Sequence, residues 1–336
     1  MPTVAETFGL RGPLLAAPAD RRVVDSVEAG LDELEARLND RLRIADPVAD
    51  AATRYLFEAG GKRARPLLLL LTAHLGEGIG DQVLSAAELI EITHLASLYH
   101  DDVMDEAETR RGVPSAHIAW SNSVAILAGD LLFARAGGIA APLGSEVAQL
   151  QARTFERLCL GQLHETLGPG DADPVEHYLQ VLADKTGSLI AAAAECGALV
   201  SGADANHREP LREFGERIGV AFQLVDDVID LSADPATGKD QGNDVRAGVA
   251  TLPVLLLAKR DDEASVSLLR RLTEPIDDAE LAAAVAELAT HPVVDETMAE
   301  AERWQREALA ALLPLPGGTV RRALGAFAEK VVSRTR

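Results

Sequence analysis

The sequence predicts an all-α protein built as one large helical domain. Apolar residues recur with a period near 3.6 in almost every segment, which is the spacing of one helix face. No segment shows the sustained two-residue alternation that is typical of strands. Clusters of Gly, Pro, Asp and Asn interrupt the apolar pattern and indicate loops between helices. A chain of 336 residues, 47% of them apolar, is long enough to bury a sizeable core.

The loop clusters divide the chain into about a dozen predicted helices. In chain order the loop clusters are LGEGIGD, RRGVPS, LGPGDADP, SGADANHREP, DPATGKDQGND and PLPGG. No long linker, low-complexity tract or heptad repeat lies between them, so we expect one helical domain over residues 23–336. Residues 1–22 lack a clear helical pattern and are predicted to be a flexible N-terminal extension.

Composition and charge limit the compartment and the partners. The N-terminus lacks a basic start followed by an apolar stretch, and no apolar run, ARPLLLLLTAHLG included, is judged long enough to span a membrane. We therefore expect a cytoplasmic protein with no integral membrane segment. The formal net charge of −21 argues against nucleic acid as a partner, since binding to a phosphate backbone depends on Lys and Arg. Cys159 and Cys196 are predicted to be buried thiols in apolar helices.

The stretch LYHDDVMDEAETRRG places Asp101, Asp102 and Asp105 at the C-terminal end of a long apolar helix. Carboxylates are disfavoured there by a few tenths to about 1 kcal/mol each, because that end carries the negative pole of the helix dipole. Asp101 and Asp105 are four residues apart on one face, where two anions repel each other. A solvated acidic surface is the simplest alternative in so acidic a chain. A bound cation explains the placement better.

The same pattern occurs a second time. The apolar segment RIGVAFQLV ends in Asp226, Asp227 and Asp230, and a loop with Gly and Lys follows. Two such clusters are predicted to hold Mg²⁺, which prefers carboxylate oxygens together with substrate phosphates. Two or three Mg²⁺ ions would form a positive clamp for a diphosphate. The helical spacing excludes an EF-hand loop, and His100 is the one soft ligand beside the carboxylates.

Basic residues near the first acidic cluster suggest a second anion site. GGKRARP places Lys62, Arg63 and Arg65 after two glycines and before Pro66, which is predicted to open a helix. The backbone amides at such a helix start can bind an oxyanion, and arginine side chains can bind phosphate with two hydrogen bonds. The alternative is a basic turn with nothing bound. Arg110 and Arg111 follow the acidic cluster and have the alternative of pairing with Asp105 or Glu106. His94 lies two turns before Asp101 on the same face of the helix. It is predicted either to point toward the same cavity as the acidic cluster or to be a hydrogen-bonded core residue.

Taken together, these motifs resemble the trans-isoprenyl (polyprenyl) diphosphate synthases. The matching segments, in order, are GGKRARP, HLASLYHDDVMDEAETRRG, LAGDLLF, GQLHE, KTGSLI, GVAFQLVDDVID and GKDQGNDVRAGVATLP. The resemblance is dense over residues 50–255 and looser beyond. It implies a helical bundle around a central cavity, the isoprenoid synthase type of fold, and a homodimer. It also implies a reaction in which isopentenyl diphosphate lengthens an allylic diphosphate by five carbons.

The resemblance implies a role for individual residues. Those implied to bind Mg²⁺ are Asp101, Asp105 and Asp226, supported within the two clusters by Asp102, Asp227 and Asp230. Those implied to contact the allylic diphosphate are Arg110, Lys185 and Lys239. Those implied to hold isopentenyl diphosphate are Lys62, Arg65, His94 and Arg111. Thr186 and Gln223 are implied to line the reaction centre near the developing cation, and the released diphosphate is implied to act as the base.

One position departs from the family pattern. Members of this family commonly have Lys where this chain has Val249 in GVATLP, so one contact to the allylic diphosphate is absent. Two other functions share parts of the pattern. A class I terpene cyclase shares the fold and the first acidic motif but normally replaces the second, which is intact here. A non-catalytic subunit of a heteromeric synthase typically loses acidic residues, whereas all six remain.

Residues four and five positions before Asp101, Ser97 and Ala96, predict the product length. They lie one turn below the acidic cluster, where a growing prenyl tail would first meet the helix. Short-chain members of the family often have an aromatic residue there. Small side chains leave the path open, so we expect a product of C20 or longer. The alternative is that both residues are small only to let two helices pack closely.

Overall fold

The computed structural model describes residues 3–12, 15, 17–232, 241–274 and 276–333, and the all-α prediction is confirmed. The α-helices are α1 Val4–Thr7, α2 Pro18–Arg41, α3 Pro47–Glu58, α4 Ala64–Thr72, α5 Asp81–Met104, α6 Ala116–Ala119, α7 Asn122–Ala140, α8 Ser145–Leu167, α9 Pro174–Leu182, α10 Ser188–Val200, α11 Arg208–Asp230, α12 Asn243–Arg246, α13 Leu252–Ala258, α14 Glu263–Thr273, α15 Asp278–Leu288, α16 Pro292–Ala311 and α17 Thr319–Val332. They outnumber the predicted dozen because several have a single turn.

Short non-α elements complete the described chain. Three-residue 3-10 turns are Ala73–Leu75, Ala141–Leu143 and Ala205–His207, and a π-helical turn, Ala183–Gly187, joins α9 to α10. One small antiparallel hairpin pairs β1 Thr109–Arg110 with β2 Val113–Pro114, directly after the first acidic cluster. This hairpin was not predicted, since strands of two residues are too short for a periodic signal.

The core forms around α10, whose residues are nearly all buried between α4, α5, α8 and α11. Five consecutive leucines of α4, residues 67–71, are fully buried, so this helix is apolar on every side and lies in the interior. A second, smaller apolar cluster involves α12 to α15 and includes Leu257, Leu268 and Val285. The acidic ends of α5 and α11 therefore project from rigid, buried helices.

The described part of the segment predicted as an N-terminal extension, residues 1–22, includes helical and packed residues. The helix α2 already begins at Pro18, inside the predicted extension. Phe8 is buried with its ring stacked on Phe327 of α17 at a centroid distance of 5.0 Å, and Leu10 is fully buried. A three-residue apolar stretch such as FGL is too short to show a period, so the sequence pattern gave no sign of this packing.

Two further expectations need correction. Residues Asn122–Leu143, α7 with its 3-10 extension, are long and apolar enough to cross a membrane by length and composition, with a mean hydropathy of 1.6, and the sequence analysis overlooked them. Core helices of globular proteins pass the same test, and α7 packs along α5.

Cys196 is buried as predicted, but Cys159 is exposed because it lies on the outer face of α8.

Candidate active site

Both acidic clusters lie at helix ends, as predicted. Asp105 is the C-cap of α5, and its amide donates a 2.7 Å hydrogen bond to the carbonyl of Asp101. Asp230 is the last residue of α11. Its carboxylate accepts hydrogen bonds from the Asn243 side-chain amide at 3.2 Å and from the Asp244 backbone amide at 3.1 Å. The start of α12 therefore fixes the second cluster.

The π-helical turn Ala183–Gly187 joins the two clusters. Lys185 Nζ lies 3.4 Å from Asp105 Oδ2 and also contacts Glu165. The next residue, Thr186, has its hydroxyl 3.5 Å from Gln223 Oε1, one turn before Asp227 on α11. Adjacent residues thus touch the end of α5 and the last turns of α11. This brings the predicted acidic, lysine, threonine and glutamine residues into one site.

Two carboxyl groups of this site have raised pKa values because they are buried. Burial raises the pKa of Asp101 to about 6, with Lys185 opposing the rise and Asp105 adding to it. Burial also raises the pKa of Asp227 to about 8, although its Oδ2 accepts a 2.7 Å hydrogen bond from the Tyr178 hydroxyl. Both ionised carboxylates are therefore unfavourable without a nearby positive charge.

The donor set suits a hard divalent cation. The buried oxygen Asp102 Oδ2 has no hydrogen-bond partner among the described residues, and carboxylate oxygens are preferred ligands of Mg²⁺. Within the described ranges, however, no three or more His, Cys, Asp or Glu side chains are gathered closely enough to hold a metal by themselves. The residues fit a cation whose remaining ligands come from a substrate and water.

The basic residues lie beside the first acidic cluster. Arg65 Nη1 is 3.2 Å from His94 Nε2. Burial lowers the pKa of Arg65 to about 10, and Glu91, Arg111 and Asp101 lie close enough to influence it further. Burial and the nearby arginines, Arg65 first, hold the pKa of His94 well below its usual value. His94 is thus a neutral imidazole within this basic cluster, next to Arg65.

Arg63 has a different position from its neighbours. It is the N-cap of α4 with a left-handed backbone (φ 48°), and its guanidinium binds both oxygens of Glu35 at 2.9 Å and Glu91 at 2.8 Å. These contacts fix the junction between α4, which carries Arg65, and the preceding loop, which carries the exposed Lys62. The helix begins at Ala64, two residues before the predicted Pro66. The sequence analysis missed Glu35 and Glu91, since each lies in an unremarkable helical pattern.

The paired arginines after α5 point to different partners. Arg110 Nε donates a 2.6 Å hydrogen bond to Asp102 Oδ1, so it pairs within the cluster, with neither of the two acids considered from the sequence. Arg111 donates to the carbonyls of Leu56 and Gly60, beside the glycine-led loop. Both lie close enough to His94 to help lower its pKa. Lys239 lies outside the described residues.

Three functional candidates were missed by the sequence analysis. Gln162 donates a 3.0 Å hydrogen bond to Asp105 Oδ1, and Glu165 contacts Lys185. Both belong to the GQLHE segment, which matched the family without receiving a role. Tyr178, which binds Asp227, had no local signal because it lies on a separate helix, α9.

The two small residues below Asp101 have different surroundings. Ser97 is partly exposed, and its hydroxyl donates to the carbonyl of His94. Ala96 is fully buried one turn before His100, whose ring lies 3.0 Å from the Ile126 carbonyl of α7. Ser97 therefore shares the face of Asp101, while Ala96 belongs to the contact between α5 and α7. The packing explanation applies to Ala96.

Deeper along α5, a polar pair crosses the space to α8. Gln151 Nε2 donates a 2.9 Å hydrogen bond to Thr93 Oγ1, one turn below Ser97. Beside it is a closely packed space that cannot hold a water molecule. Its lining residues are Leu89, Ile90, Val147, Leu150, Gln151, Thr154, Ala192 and Cys196. The side chains below Ser97 are thus mostly apolar and closely packed.

Comparisons with known proteins agree with this geometry. The sequence profile described as polyprenyl synthetase matches residues 46–288. A nonaprenyl diphosphate synthase of Mycobacterium tuberculosis is 43% identical over 316 residues, covering 92% of this chain and 93% of that protein. A geranylgeranyl pyrophosphate synthase of Corynebacterium glutamicum, solved with calcium and isoprenyl diphosphate, is 40% identical, with a TM-score of 0.85 and coverage of 95% and 98%.

A polyprenyl synthase of Caulobacter crescentus, also solved with calcium and isoprenyl diphosphate, has a TM-score of 0.86 at 32% identity and covers 94% of this chain and 98% of its own. The resemblance seen in the sequence motifs is thereby confirmed. The chain belongs to the polyprenyl synthetase family.

Proposed function

We propose that this protein joins isopentenyl diphosphate head-to-tail to an allylic prenyl diphosphate, making an all-trans polyprenyl diphosphate of C20 or longer. The observation that carries the proposal is the single site in which Lys185 and Thr186 join the acidic ends of α5 and α11, beside a cluster of arginines around His94. The relatives named for nonaprenyl and geranylgeranyl products support the length range.

The allylic diphosphate is proposed to bind between the two acidic helix ends. Asp101, Asp105 and Asp226 would hold Mg²⁺, which when bound neutralises the diphosphate and stabilises it as a leaving group. Lys185 already lies beside Asp105, so its ammonium can contact the same diphosphate oxygens. Arg110, which is hydrogen-bonded to Asp102, would contact the diphosphate from the side of the β1–β2 hairpin.

Thr186 and Gln223 are proposed to face the carbon that becomes cationic. The Thr186 hydroxyl donates a long hydrogen bond of 3.5 Å to Gln223 Oε1, so the two oxygen atoms are neighbours in the site. Such oxygens stabilise a developing allylic cation without forming a bond to it. The electron pair of the leaving C–O bond goes to the diphosphate. The double bond of isopentenyl diphosphate forms the new C–C bond, and the released diphosphate accepts the proton that is lost.

Isopentenyl diphosphate is proposed to bind on the arginine side. Lys62, Arg65 and Arg111 supply cations there, and His94 is kept neutral as a hydrogen-bond partner of Arg65. Buried arginines surrounded by like charge are stabilised when a polyanion enters. The two diphosphates therefore use separate sets of residues, which allows both to be bound at once.

The direct test is an assay of the purified protein with labelled isopentenyl diphosphate and an allylic primer. The expected product is a labelled prenyl diphosphate longer than the primer. A class I cyclase would release a cyclic hydrocarbon from the primer alone, without incorporating label. A non-catalytic subunit would give no product in either assay. The intact second acidic cluster and the intact GGKRARP loop favour the synthase.

Lys62→Ala and Arg65→Ala are expected to separate the two substrate sites. Each should raise KM for isopentenyl diphosphate about tenfold, equivalent to about 1.4 kcal/mol, and change KM for the allylic primer less than threefold. Lys330→Ala, at the exposed end of α17, serves as the matched control with no change. Steady-state kinetics with each substrate varied in turn measures the effect. Equal increases for both substrates would show that the loop was assigned to the wrong site.

Val249→Lys is expected to restore the cation that the family pattern has at this position. The Val249 side chain is 42% exposed, and its amide donates to the carbonyl of Asp244, whose own amide binds Asp230. A lysine here would stand next to the second acidic cluster and should lower KM for the allylic diphosphate about two- to fivefold, in line with an exposed charge contact. Val266→Lys, exposed on α14, controls for added charge alone. An unchanged KM in both variants would place residue 249 outside the diphosphate site.

The proposal includes a cytoplasmic homodimer. Exposed apolar side chains concentrate on α7 and α8, which contact each other: Ile126, Leu127, Leu131, Leu160, Leu163 and Leu167. An exposed apolar surface of this kind is typical of a protein interface, and a second copy presenting the same face would cover it with two-fold symmetry. Sedimentation at micromolar concentration should give twice the 35.6 kDa chain mass.

A further inference from the structure

The π-helical turn has an unusual role in this fold, because it carries both Lys185 and Thr186. It closes with a hydrogen bond from the Ser188 amide to the Ala183 carbonyl, five residues earlier. Such turns insert one extra residue into an otherwise continuous helix and rotate the side chains that follow. The inference below rests on the proposed function, in which Lys185 contacts the allylic diphosphate and Thr186 lies near the cation.

Close packing holds the turn between α8 and α11. A Cβ atom at Gly161 of α8 would lie 2.7 Å from the Lys185 amide nitrogen. A Cβ atom at Gly219 of α11 would lie 2.6 Å from the Cα of Gly187. Both distances are shorter than any real contact, so only glycine allows the backbones to approach this closely. The turn is thus closely packed against backbone on two sides.

The charged side chain of Arg157 links α8 to both the π-helical turn and α11. Arg157 of α8 donates a 2.6 Å hydrogen bond from Nε to Asp184 Oδ1 and a 3.3 Å hydrogen bond from Nη2 to the Ala183 carbonyl, both inside the turn. Its Nη1 pairs with Glu216 of α11. Asp184, the residue before Lys185, is nearly buried and also accepts a 2.8 Å hydrogen bond from Gln180.

We propose that Arg157 is a positioning residue for the condensation, which fixes the π-helical turn so that Lys185 and Thr186 point at the allylic diphosphate. The planar guanidinium is suited to this, since one rigid fork reaches a side chain and a carbonyl of the turn while its third nitrogen binds the neighbouring helix. Without it, the buried Asp184 carboxylate loses its cation and the turn is free to move toward solvent. A displacement of about 1 Å at a reacting group is enough to cost about 10²-fold in rate.

The proposal predicts a selective loss in Arg157→Met. Its kcat should fall at least tenfold and its KM for the allylic primer should rise at least fivefold, while KM for isopentenyl diphosphate stays within twofold. Arg157→Lys retains one contact to Asp184 and should recover part of the loss. Asp184→Asn should reproduce the Arg157→Met kinetics, and the double variant should be no worse than either single one, because both act through the same contact.

Arg212→Met is the matched control, since Arg212 pairs with Glu209 on the surface of α11; both KM values and kcat should stay within twofold of wild type. Melting temperatures are measured for all variants. If Arg157→Met melts earlier but keeps its allylic KM and kcat, Arg157 is only a structural brace and the proposal is overturned. If Arg157→Met does not fold, the kinetics of Arg157→Lys and Asp184→Asn decide in the same way. A wild-type protein that fails to condense the two substrates would instead refute the proposed function itself.

Discussion

Asp101→Asn and Asp226→Asn should each lower kcat at least 10²-fold, equivalent to about 2.7 kcal/mol of transition-state stabilisation. Asparagine keeps the shape of the side chain and removes the charge through which a cation would be held. The loss should affect kcat as well as KM, because the charge on the leaving diphosphate grows as the allylic cation forms. Initial rates with saturating Mg²⁺ measure the effect.

Stability should not fall with activity in these variants. The native pKa of Asp101, about 6, lies above the usual value of 3.8, so the folded protein favours the protonated form. The stability that this group contributes is present below about pH 4 and is lost as the pH rises through 6. At pH 7 in chelator, Asp101→Asn should therefore melt at the same or a higher temperature than wild type. Asp278→Asn, an exposed acid in the first turn of α15, is the control for activity and should retain the wild-type rate. Wild-type rates in Asp101→Asn would mean that the charge of this cluster has no part in the reaction.

The second large effect concerns product length, and Ser97→Phe should shorten the product by one or more isoprene units. With a rise of about 1.5 Å per residue, Ser97 lies about 6 Å below Asp101 along α5 and Thr93 about 12 Å below it. Four carbon–carbon bonds of about 1.5 Å in a zigzag give about 5 Å per extended isoprene unit. A phenyl ring at Ser97 would therefore block the tail after the first unit or two. A C20 product must reach past the Gln151–Thr93 hydrogen bond and among the mostly apolar side chains packed beside it.

Ala96→Phe is the less informative partner of this test. Ala96 is fully buried toward α7, so a ring there overpacks the helix contact at a cost of about 1–3 kcal/mol. Val266→Phe, exposed on α14, controls for an added ring without effect on length. Chromatography of the dephosphorylated products gives the distribution. An unchanged distribution from folded, active Ser97→Phe protein would show that the tail does not pass this face of α5.

Local patterns in the sequence predicted the helices and the helix ends that carry the two acidic clusters. Asp101, Asp105 and Asp230 are found at helix ends because the apolar period and its interruption specify where a helix stops. What the sequence could not show is how distant segments meet. The Arg63–Glu91 pair and the Tyr178–Asp227 hydrogen bond join residues separated by 28 and 49 positions, and nothing local marks either partner.

Ala96 and Ser97 show the same limit on a smaller scale. They are adjacent and both small, so the sequence assigned them one role. The structure separates them by the 100° turn per residue of a helix, which directs Ala96 to α7 and leaves Ser97 on the face of Asp101. The π-helical turn at Ala183–Gly187 was likewise invisible, because one inserted residue changes no composition or period over a short segment.

The central claim is that the two acidic helix ends hold the allylic diphosphate through divalent cations. The most direct measurement is a calorimetric titration of the protein with an allylic diphosphate analogue whose bridging oxygen is replaced by sulfur, so that it cannot readily ionise. With Mg²⁺ present, the wild-type protein should bind the analogue in the micromolar range or tighter. In excess chelator, and in Asp101→Asn or Asp226→Asn with Mg²⁺, the affinity should fall at least tenfold. Equal affinity of the wild-type protein with Mg²⁺ and with chelator would contradict the claim.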